Sequence, residues 1–492
     1  MKSPTPALTP GMKKDLALRR AKAEAGDAEV IALHPSGNGK PKIQRRYALT
    51  DLGNAERFAD DHRGVVRYVN QWGKWIVWNG SCWQPDESRE AIRRATKTVR
   101  KMFLESWPEG GGFDKSLERH SLKSESRRSL QDLLALASAQ EGIPINAAEL
   151  DRDPMLFNLA SGTLDLNRGE HRVALQEDYI TKQSEVAYDP AAECPAWLEF
   201  LDTIMAENKD LIGFLQRLAG YCLTGSVKEQ KLFLLYGEGS NGKSTFLNTL
   251  LHLWGGYGRK VPSSLLLSRK DGTASNELAE LFGVRLAVAS ETGEGKRMAE
   301  SLVKELTGGE RLTGRRLYEQ FFNWEPTHKV ILTTNHKPEI SGNDYAIWRR
   351  ICLIPFTVTI PEDDQDRDLP NRLLAEAPGI LNWCLAGLRH YQEVGLVEPE
   401  EVRTAVTEYR NEMDRLRDFL EEQCVERPYA EVKSSALRRA YEDWCQINGE
   451  TCMGAKEFQN RLKDKGFSPK KGSRGERFWS GIGLRVEARN DD

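Results

Sequence analysis

Four short apolar runs in the middle of the chain carry its clearest pattern. They are rich in Val, Ile and Leu and show little polar alternation, which is typical of strands buried on both faces of a parallel sheet. The runs, with the polar residue that ends the second and the third, occupy residues 232–236, 284–291, 329–335 and 351–356. Helical spacing follows the first run, from Thr245 to Leu251. The pattern predicts an α/β core built on these strands.

Shorter alternating runs precede this core. Residues 67–69 and 75–83 predict strands, the second folded into a hairpin at Asn79-Gly80, because Asn-Gly favours a tight hairpin turn. Helical spacing at 89–103 and 124–140 completes an α+β domain. Tryptophans at strand spacing either fill a small core or stack on bases, and we favour the core. They are Trp72, Trp75, Trp78 and Trp83.

Two further elements connect this domain to the core. Residues 156–166 predict two short strands around a turn, and a helical segment is predicted from Trp197 to Leu223. We place the domain boundary between residues 190 and 205.

The C-terminal pattern is mainly helical. A helical stretch covers 369–391, three further helical patterns follow Glu401, and the last of them covers 455–465. Residues 467–485 then alternate like a two-stranded wing with a basic, Gly-rich tip. Helices followed by a wing are typical of a winged-helix module, which binds DNA or, alternatively, protein. The predicted DNA contacts are Lys456, Arg461, Lys463, Lys470, Lys471, Arg474 and Arg477.

Composition and charge limit the class of protein. The chain has 492 residues, which predicts a multidomain globular protein. Its formal net charge of -3 is close to neutral and can conceal local basic patches. Eight scattered cysteines without a CxxC pair favour reduced, buried thiols over a zinc site. No apolar run is long enough to cross a bilayer and no signal-type segment begins the chain, so we expect a cytoplasmic protein without a membrane partner.

These patterns give a predicted domain organisation. The fold class is multidomain and mainly α/β: an α+β N-terminal domain, an α/β core whose glycine-rich stretch at 237–244 has the P-loop pattern of an ATPase, and a C-terminal winged helix. The predicted divisions are a disordered basic tail at 1–45, an N-terminal domain at 46–195, the ATPase core at 196–400 and the winged helix at 401–492. The basic tail either has no role or attracts phosphate weakly.

A glycine-rich loop lies between the first strand and its helix. It matches G-x-x-x-x-G-K-[ST] in the order strand, loop, helix that a phosphate-binding loop requires. Its residues are Gly237, Glu238, Gly239, Ser240, Asn241, Gly242, Lys243, Ser244 and Thr245. Lys243 is expected to reach the β- and γ-phosphates of ATP, and the Ser244 hydroxyl to hold Mg²⁺. The alternative is a chance glycine loop.

Polar residues beside the other three strands are candidates for catalysis. Glu291 ends the second strand and is predicted to polarise water and support Mg²⁺. Asn335 ends the third, where it either holds the lytic water or senses the γ-phosphate, or, alternatively, caps a loop. Arg349 and Arg350 precede the fourth, where an arginine either reaches a neighbouring subunit's nucleotide or anchors an acidic surface.

A second basic feature lies between the Glu291 and Asn335 strands. Lys304 is in a helix that ends at Gly308-Gly309, and residues 311–324 predict a β-hairpin that carries Arg315 and Arg316 outward. Such a hairpin suits contact with DNA phosphates. The alternative is that its arginines pair with Glu310 or Glu319.

The ordered set of motifs resembles the phage and plasmid primase/helicase family, a group of superfamily-III DNA helicases. The resemblance covers about residues 150–360, and the Trp-rich region is similar to the family's N-terminal helicase-associated domain. The motifs that carry it are the glycine loop, Ala289-Ser290-Glu291, residues 304–309, Arg315-Arg316-Leu317-Tyr318, residues 334–338, Trp348-Arg349-Arg350 and Ile354-Pro355-Phe356.

The resemblance implies an AAA-like ATPase that forms a ring, commonly a homo-hexamer, with the hairpin facing a central DNA channel. It assigns Lys243 and Ser244 to the first nucleotide motif, Glu291 to the second, Asn335 to the sensor and Arg349 or Arg350 to the arginine finger. The chain departs from the common pattern at Ser290 and Thr292, which flank Glu291 where many nucleotide hydrolases have a second acid. Glu294 is a candidate to assist.

The predicted function is an ATP-dependent DNA helicase of phage, prophage or plasmid replication that translocates on single-stranded DNA. It would bind single-stranded and duplex DNA and work with a primase or polymerase partner. Two alternatives stay open. The N-terminal region supplies priming activity, or the chain is an origin-binding initiator that uses ATP only to switch assembly.

Overall fold

The computed structural model describes residues 46–107, 112–268, 275–290, 295–315, 321–340, 345–449, 452–472 and 475–485. Several residues singled out above lie outside the described residues, as does the predicted tail at 1–45: they are Glu291, Thr292, Glu294, Arg316, Leu317, Tyr318, Glu319 and Arg474.

The N-terminal region combines helices with two small sheets. Its helices are α1 (Asp51–His62), α2 (Glu90–Glu105), α3 (Lys115–Ser124) and α4 (Arg127–Ala137). Its strands are β1 (Val66–Val69), β2 (Lys74–Trp78), β3 (Trp83–Pro85), β4 (Pro144–Ile145), β5 (Leu156–Leu159), β6 (Gly162–Asp165) and β7 (Glu170–Arg172). They form sheets of order β3-β2-β1-β4 and β5-β6-β7.

The predicted hairpin is confirmed, since Trp78 pairs with Trp83 across Asn79-Gly80. The preference for core over stacking is confirmed for Trp72 and Trp83, which are buried. Trp75 and Trp78 are half-buried. The strand pair predicted at 156–166 is also confirmed.

The helical segment predicted from Trp197 to Leu223 is wrong in one respect. It consists of two helices, α5 (Pro195–Ile204) and α6 (Lys209–Leu223). Ala206 and Glu207 between them have φ angles of 48° and 58°, which a right-handed helix cannot contain. Asn208 then caps α6 by accepting hydrogen bonds from the amides of Asp210 and Leu211.

The central region is built on a five-stranded sheet. Its strands are β8 (Leu232–Tyr236), β9 (Gly258–Val261), β10 (Leu286–Ser290), β13 (Lys329–Thr334) and β14 (Ile351–Pro355), and a separate hairpin contains β11 (Leu312–Gly314) and β12 (Phe322–Trp324). The sheet has the order β14-β8-β13-β10-β9, and every neighbouring pair in it is parallel. Its further helices are α7 (Lys243–Trp254), α8 (Ser275–Ala279), α9 (Glu300–Gly308), α10 (Tyr345–Trp348), α11 (Leu369–Ala375) and α12 (Ala377–Val394). All four strands predicted for the core are confirmed, and β9 adds a fifth.

Both faces of this sheet are buried, which explains the lack of polar alternation in its strands. Phe233 and Leu235 of β8 belong to one hydrophobic cluster, which includes residues of α6, α7 and α12. Leu232 and Leu234 belong to the opposite cluster, which also takes in Trp72 and Trp83 of the N-terminal region. The N-terminal region therefore packs against the core of the central sheet.

The C-terminal region differs from its prediction in two ways. It contains four helices instead of three: α13 (Glu400–Glu412), α14 (Arg415–Gln423), α15 (Ser434–Ile447) and α16 (Ala455–Asp464). Its strands are β15 (Cys424–Lys433), β16 (Ser468–Lys471) and β17 (Arg477–Leu484), in the order β15-β17-β16. The wing predicted with two strands is thus part of a three-stranded sheet, because β15 was missed.

In the described residues, no helix combines the length and the hydropathy needed to cross a bilayer. Seven of the eight cysteines are buried, but Cys452 is exposed, so the expectation of buried thiols fails at that position.

Candidate nucleotide site and DNA-facing surfaces

The glycine loop is pressed between neighbouring elements. At Gly242, φ is +80° and a Cβ atom would lie 2.4 Å from Cγ2 of Ile204 in α5. At Gly237, a Cβ atom would lie 2.2 Å from the carbonyl oxygen of Phe356, just after β14. Glycine is therefore required at both positions for steric reasons, and at Gly242 for its backbone conformation as well.

The loop leads directly into α7. Gly242 is the N-cap residue and no side chain caps the helix, so the amides of its first turn have no intrahelical partner. Ser244 is exposed and Thr245 is half-buried at this end. A helix N-terminus that follows a glycine loop favours a phosphate group, because the amides and the helix dipole both attract negative charge.

Lys243 is turned inward onto the loop. Only 5% of the residue is exposed, and its Nζ donates hydrogen bonds to the Gly237 carbonyl oxygen at 2.7 Å and to Asn241 Oδ1 at 2.9 Å. Asn241 in turn donates to the Phe356 carbonyl at 3.3 Å. Burial lowers the pKa of Lys243. The ammonium is thus held against the loop by acceptors that the loop itself provides.

Asn335 meets Lys243 across two neighbouring strands. β13 pairs with β8 so that Thr334 lies opposite Tyr236, and Asn335 therefore follows its strand at the same sheet edge as Gly237. A tight turn holds it there, in which the His336 amide donates to Thr334 Oγ1 at 3.1 Å. The Nζ of Lys243 donates to Asn335 Oδ1 at 3.3 Å. The structure thus brings together two residues predicted from separate motifs.

The carboxyl end of β10 lies at the same edge of the sheet. Ser290, the last residue of β10, pairs with Thr333 of β13. Glu291, the predicted base and Mg²⁺ ligand, is the next residue in the sequence and lies outside the described residues.

The two candidate finger arginines have different surroundings. Arg350 is 8% exposed, and it donates to Thr307 Oγ1 at 3.1 Å and to the Ala346 carbonyl at 2.6 Å. Arg349 is exposed and donates to Gln230 Oε1 at 2.9 Å. Arg350 therefore fixes α10 against α9, whereas Arg349 faces outward.

Both arginines lie far from the glycine loop of their own chain. They precede β14, whose first residue Ile351 pairs with Leu232, the first residue of β8. The glycine loop follows the last residue of β8, and the strand between its two ends is five residues long. At about 3.3 Å per residue, the distance along the strand is roughly 16 Å.

The hairpin base is anchored in the hydrophobic core. Phe322 and Trp324 of β12 are buried and lie within aromatic contact distance of Phe282. Arg315 at the end of β11 is exposed and lies over the exposed ring of Phe321, 4.8 Å from its centre. Lys304 on α9 is half-buried. The hairpin thus presents a cation and an aromatic ring near its tip.

The predicted basic face of the C-terminal region is only partly exposed. Arg461 is 8% exposed and bonds Glu457 at 3.3 Å, so it does not lie on an open face as expected. Lys470 bonds Glu431 of β15. The exposed basic residues of the predicted set are Lys456, Lys463, Lys470, Lys471 and Arg477.

Lys337 was assigned no role from the sequence, although it belongs to the motif at 334–338. Its Nζ bonds both carboxylate oxygens of Glu412 at 2.7 and 2.9 Å, and lies 4.9 Å from the ring centre of Tyr236. It therefore ties the loop that carries Asn335 to the end of α13. Its position two residues after Asn335 was the only signal in the sequence.

Three family models match successive parts of the chain. The model described as D5 N terminal like matches residues 55–206, a family of unknown function (DUF5906) matches 235–350, and the model described as Poxvirus D5 protein-like matches 411–477.

Relatives in large DNA viruses match over longer stretches. "Putative helicase L207/L206" of Acanthamoeba polyphaga mimivirus is 24% identical over 341 residues, which cover 64% of this chain and 36% of that protein. "Primase D5" of fowlpox virus (strain NVSL) is 28% identical over 155 residues, 30% of this chain and 19% of that protein. The chain spans about a third of the length of the first of these relatives.

A solved structure shares the fold. The apo structure of the NrS-1 C-terminal region aligns with a TM-score of 0.51 at 12% identity, over 88% of this chain and 99% of that one. The alignment supports the multidomain α/β architecture with its parallel sheet. The two D5 models and the viral helicase and primase relatives bear out the resemblance to primase-helicases inferred from the motifs.

Proposed function

We propose that the chain is an ATP-driven DNA helicase of replication, with ATP bound at the loop from Gly237 to Ser244. The observation that carries the proposal is the contact between Lys243 and Asn335. A buried lysine and a polar sensor amide meet at the carboxyl edge of a parallel sheet, the edge at which α/β proteins of this architecture bind nucleotides. The relatives named as putative helicases support the same function.

The residues at this edge fit a magnesium nucleotide. The glycine positions leave room that a Cβ atom would fill, and the uncapped end of α7 supplies amides for the phosphates. Lys243 would exchange its loop acceptors for phosphate oxygens, and Asn335 would orient water or the terminal phosphate. Mg²⁺, held by the Ser244 hydroxyl and Glu291, would supply charge neutralisation between the phosphates.

Arg349 is the better arginine finger of the two candidates. Arg350 already uses its guanidinium inside the chain, whereas Arg349 is exposed and has a neutral partner, Gln230. Because it lies about one strand length from its own glycine loop, Arg349 would act on the nucleotide of a neighbouring copy. This requires an assembly in which subunits face one another around a ring, for which we propose a homo-hexamer.

Two basic surfaces would contact DNA. Arg315 of the hairpin would follow the single strand in the ring, and the winged-helix region would present Lys456, Lys463, Lys471 and Arg477 to phosphates. Replication would supply both single-stranded and duplex DNA to these surfaces, with a primase or polymerase as a partner.

The proposal is tested by ATP hydrolysis in the presence of Mg²⁺ and single-stranded DNA. We expect Lys243→Ala to lower kcat by about 100-fold or more, because one preorganised donor to developing charge contributes that much. Asn335→Ala should lower kcat while nucleotide binding is retained. Asn248→Ala is the matched control, since this amide is exposed on the same helix, away from the loop. Equal hydrolysis by all four proteins would refute the assignment of the site.

A further inference from the structure

The long strand β15 does not pair continuously with β17. Glu426 pairs with Ile482 and Glu431 with Ser480, so the four residues from Arg427 to Ala430 face only Gly481. Gly481 has a φ of +94°, a conformation that glycine adopts without strain. We call residues 427–430 the β15 bulge. Bulges of this kind redirect side chains away from a sheet.

The β15 bulge presents a tyrosine to solvent. Tyr429 is 97% exposed, more than any other large hydrophobic residue that the structure describes. Arg427 and Pro428 beside it are exposed as well. The other aromatic residues of this region behave differently, since Phe419, Tyr441 and Trp479 lie in its hydrophobic core. An aromatic ring held outward on a bulge is therefore available to a ligand.

The bulge belongs to the same sheet as the basic wing. Lys470 on β16 reaches past β17 to bond Glu431, the first residue after the bulge. Residues 424–485 contain thirteen Lys and Arg against eight Asp and Glu, a formal charge of +5 in a chain whose total is -3. The region that carries Tyr429 therefore has a net positive charge, which attracts a polyanion such as nucleic acid.

We propose that the β15 bulge is a contact for single-stranded DNA, in which Tyr429 stacks on an unpaired base and Arg427 bonds an adjacent phosphate. The inference rests on the proposed helicase function and adds a base-stacking residue to it. Only an unpaired base offers a free face to the ring, because duplex stacking covers the faces of paired bases. Arg427 and Pro428 before Tyr429 are exposed and Ala430 after it is half-buried, so these neighbours do not form the contiguous apolar patch of a protein-binding site.

The test measures equilibrium binding of the full chain to a fluorescent oligo-dT strand and to a blunt duplex, by anisotropy. We expect Tyr429→Ala to weaken binding of the single strand by roughly 5- to 100-fold, the range for loss of one stacked base. Tyr429→Phe is the matched control and should bind like wild type, since the ring is kept. Duplex affinity should change by less than about twofold in both variants, because paired bases offer no free face.

Salt dependence separates the two roles. A plot of log affinity against log salt concentration has a slope that reports the number of phosphate contacts. Arg427→Gln should reduce the magnitude of this slope by about one, because one phosphate contact is lost, whereas Tyr429→Ala should leave it unchanged. Single-strand affinity of Tyr429→Ala equal to that of wild type, or an equal loss for strand and duplex, would overturn the inference while leaving the proposed function intact. Failure of the wild type to bind a single strand would instead count against the proposed function itself.

Discussion

Lys329, the first residue of β13, shows how burial changes the chemistry of one side chain. It is 3% exposed, and burial lowers its pKa to about 7. Its Nζ donates to the carbonyl oxygens of Thr224 and Thr327 and lies 5.0 Å from the ring centre of Tyr221. The strand that precedes Asn335 therefore begins at a lysine whose charge is costly in the folded state.

This gives the stability of the chain a specific dependence on pH. The unfolded chain releases the Lys329 proton near pH 10.4, whereas the folded chain releases it near 7. Between these values the unfolded state binds more protons, so stability rises with pH. From about pH 7.5 to about pH 9.5, the urea midpoint of wild type should rise relative to that of Lys329→Met. Parallel pH dependence of the two midpoints would contradict the assignment.

Sequence motifs located Lys243 and Asn335 at the residue scale, because each follows directly from a strand and a loop pattern. They could not separate Arg349 from Arg350. Alternation along a strand normally tells inward from outward positions, but β14 is buried on both faces, so it gives no such signal for the residues before it. Burial of Arg350 depends on Thr307 and Ala346, which only the folded chain brings close.

At the scale of elements, the strands of the central sheet were predictable because both of their faces are buried and their residues are apolar. β15 was not, since its burial pattern is mostly exposed and its sequence includes charged residues and Pro428. The break between α5 and α6 was missed because Ala206 and Glu207 carry no turn signal, although both have positive φ. Asn208, a good N-cap residue, was the one local indication.

Two glycines of the loop allow the effect of its close contact with α5 on ATP binding to be measured. Gly242 and Gly239 both have positive φ, but a Cβ atom at Gly239 would meet nothing within 4 Å, whereas one at Gly242 would meet Ile204 and Phe200. Alanine at either position costs on the order of 1 kcal/mol for the backbone alone. We expect Gly242→Ala to weaken ATP binding by about tenfold more than Gly239→Ala, an extra cost near 1.4 kcal/mol.

Calorimetric titration with a slowly hydrolysed ATP analogue would compare the two variants, with circular dichroism to verify that both are folded. Equal affinities would mean that contact with α5 does not shape the loop.

At the scale of the whole molecule, α13 and the residues after it connect the sheet edge that carries Asn335 to the C-terminal region. Glu412 at its end bonds Lys337 of the Asn335 loop. Two residues later, Asp414 bonds Lys465, just after α16, at 2.7 Å. Neither contact could be predicted from the sequence, because the paired residues are separated by 75 and 51 positions. The predicted ATPase core and the predicted DNA-binding module are thus joined through one short segment.

The central claim is that ATP turnover at the Lys243 site separates DNA strands. The most direct measurement is unwinding of a tailed duplex by the purified chain, with Lys243→Ala as the comparison and DNA binding measured for both. We predict strand separation by wild type only with ATP and Mg²⁺, and none by Lys243→Ala although it still binds DNA. A wild type that hydrolyses ATP and binds duplex DNA without separating it would contradict the claim and favour an ATP-switched initiator.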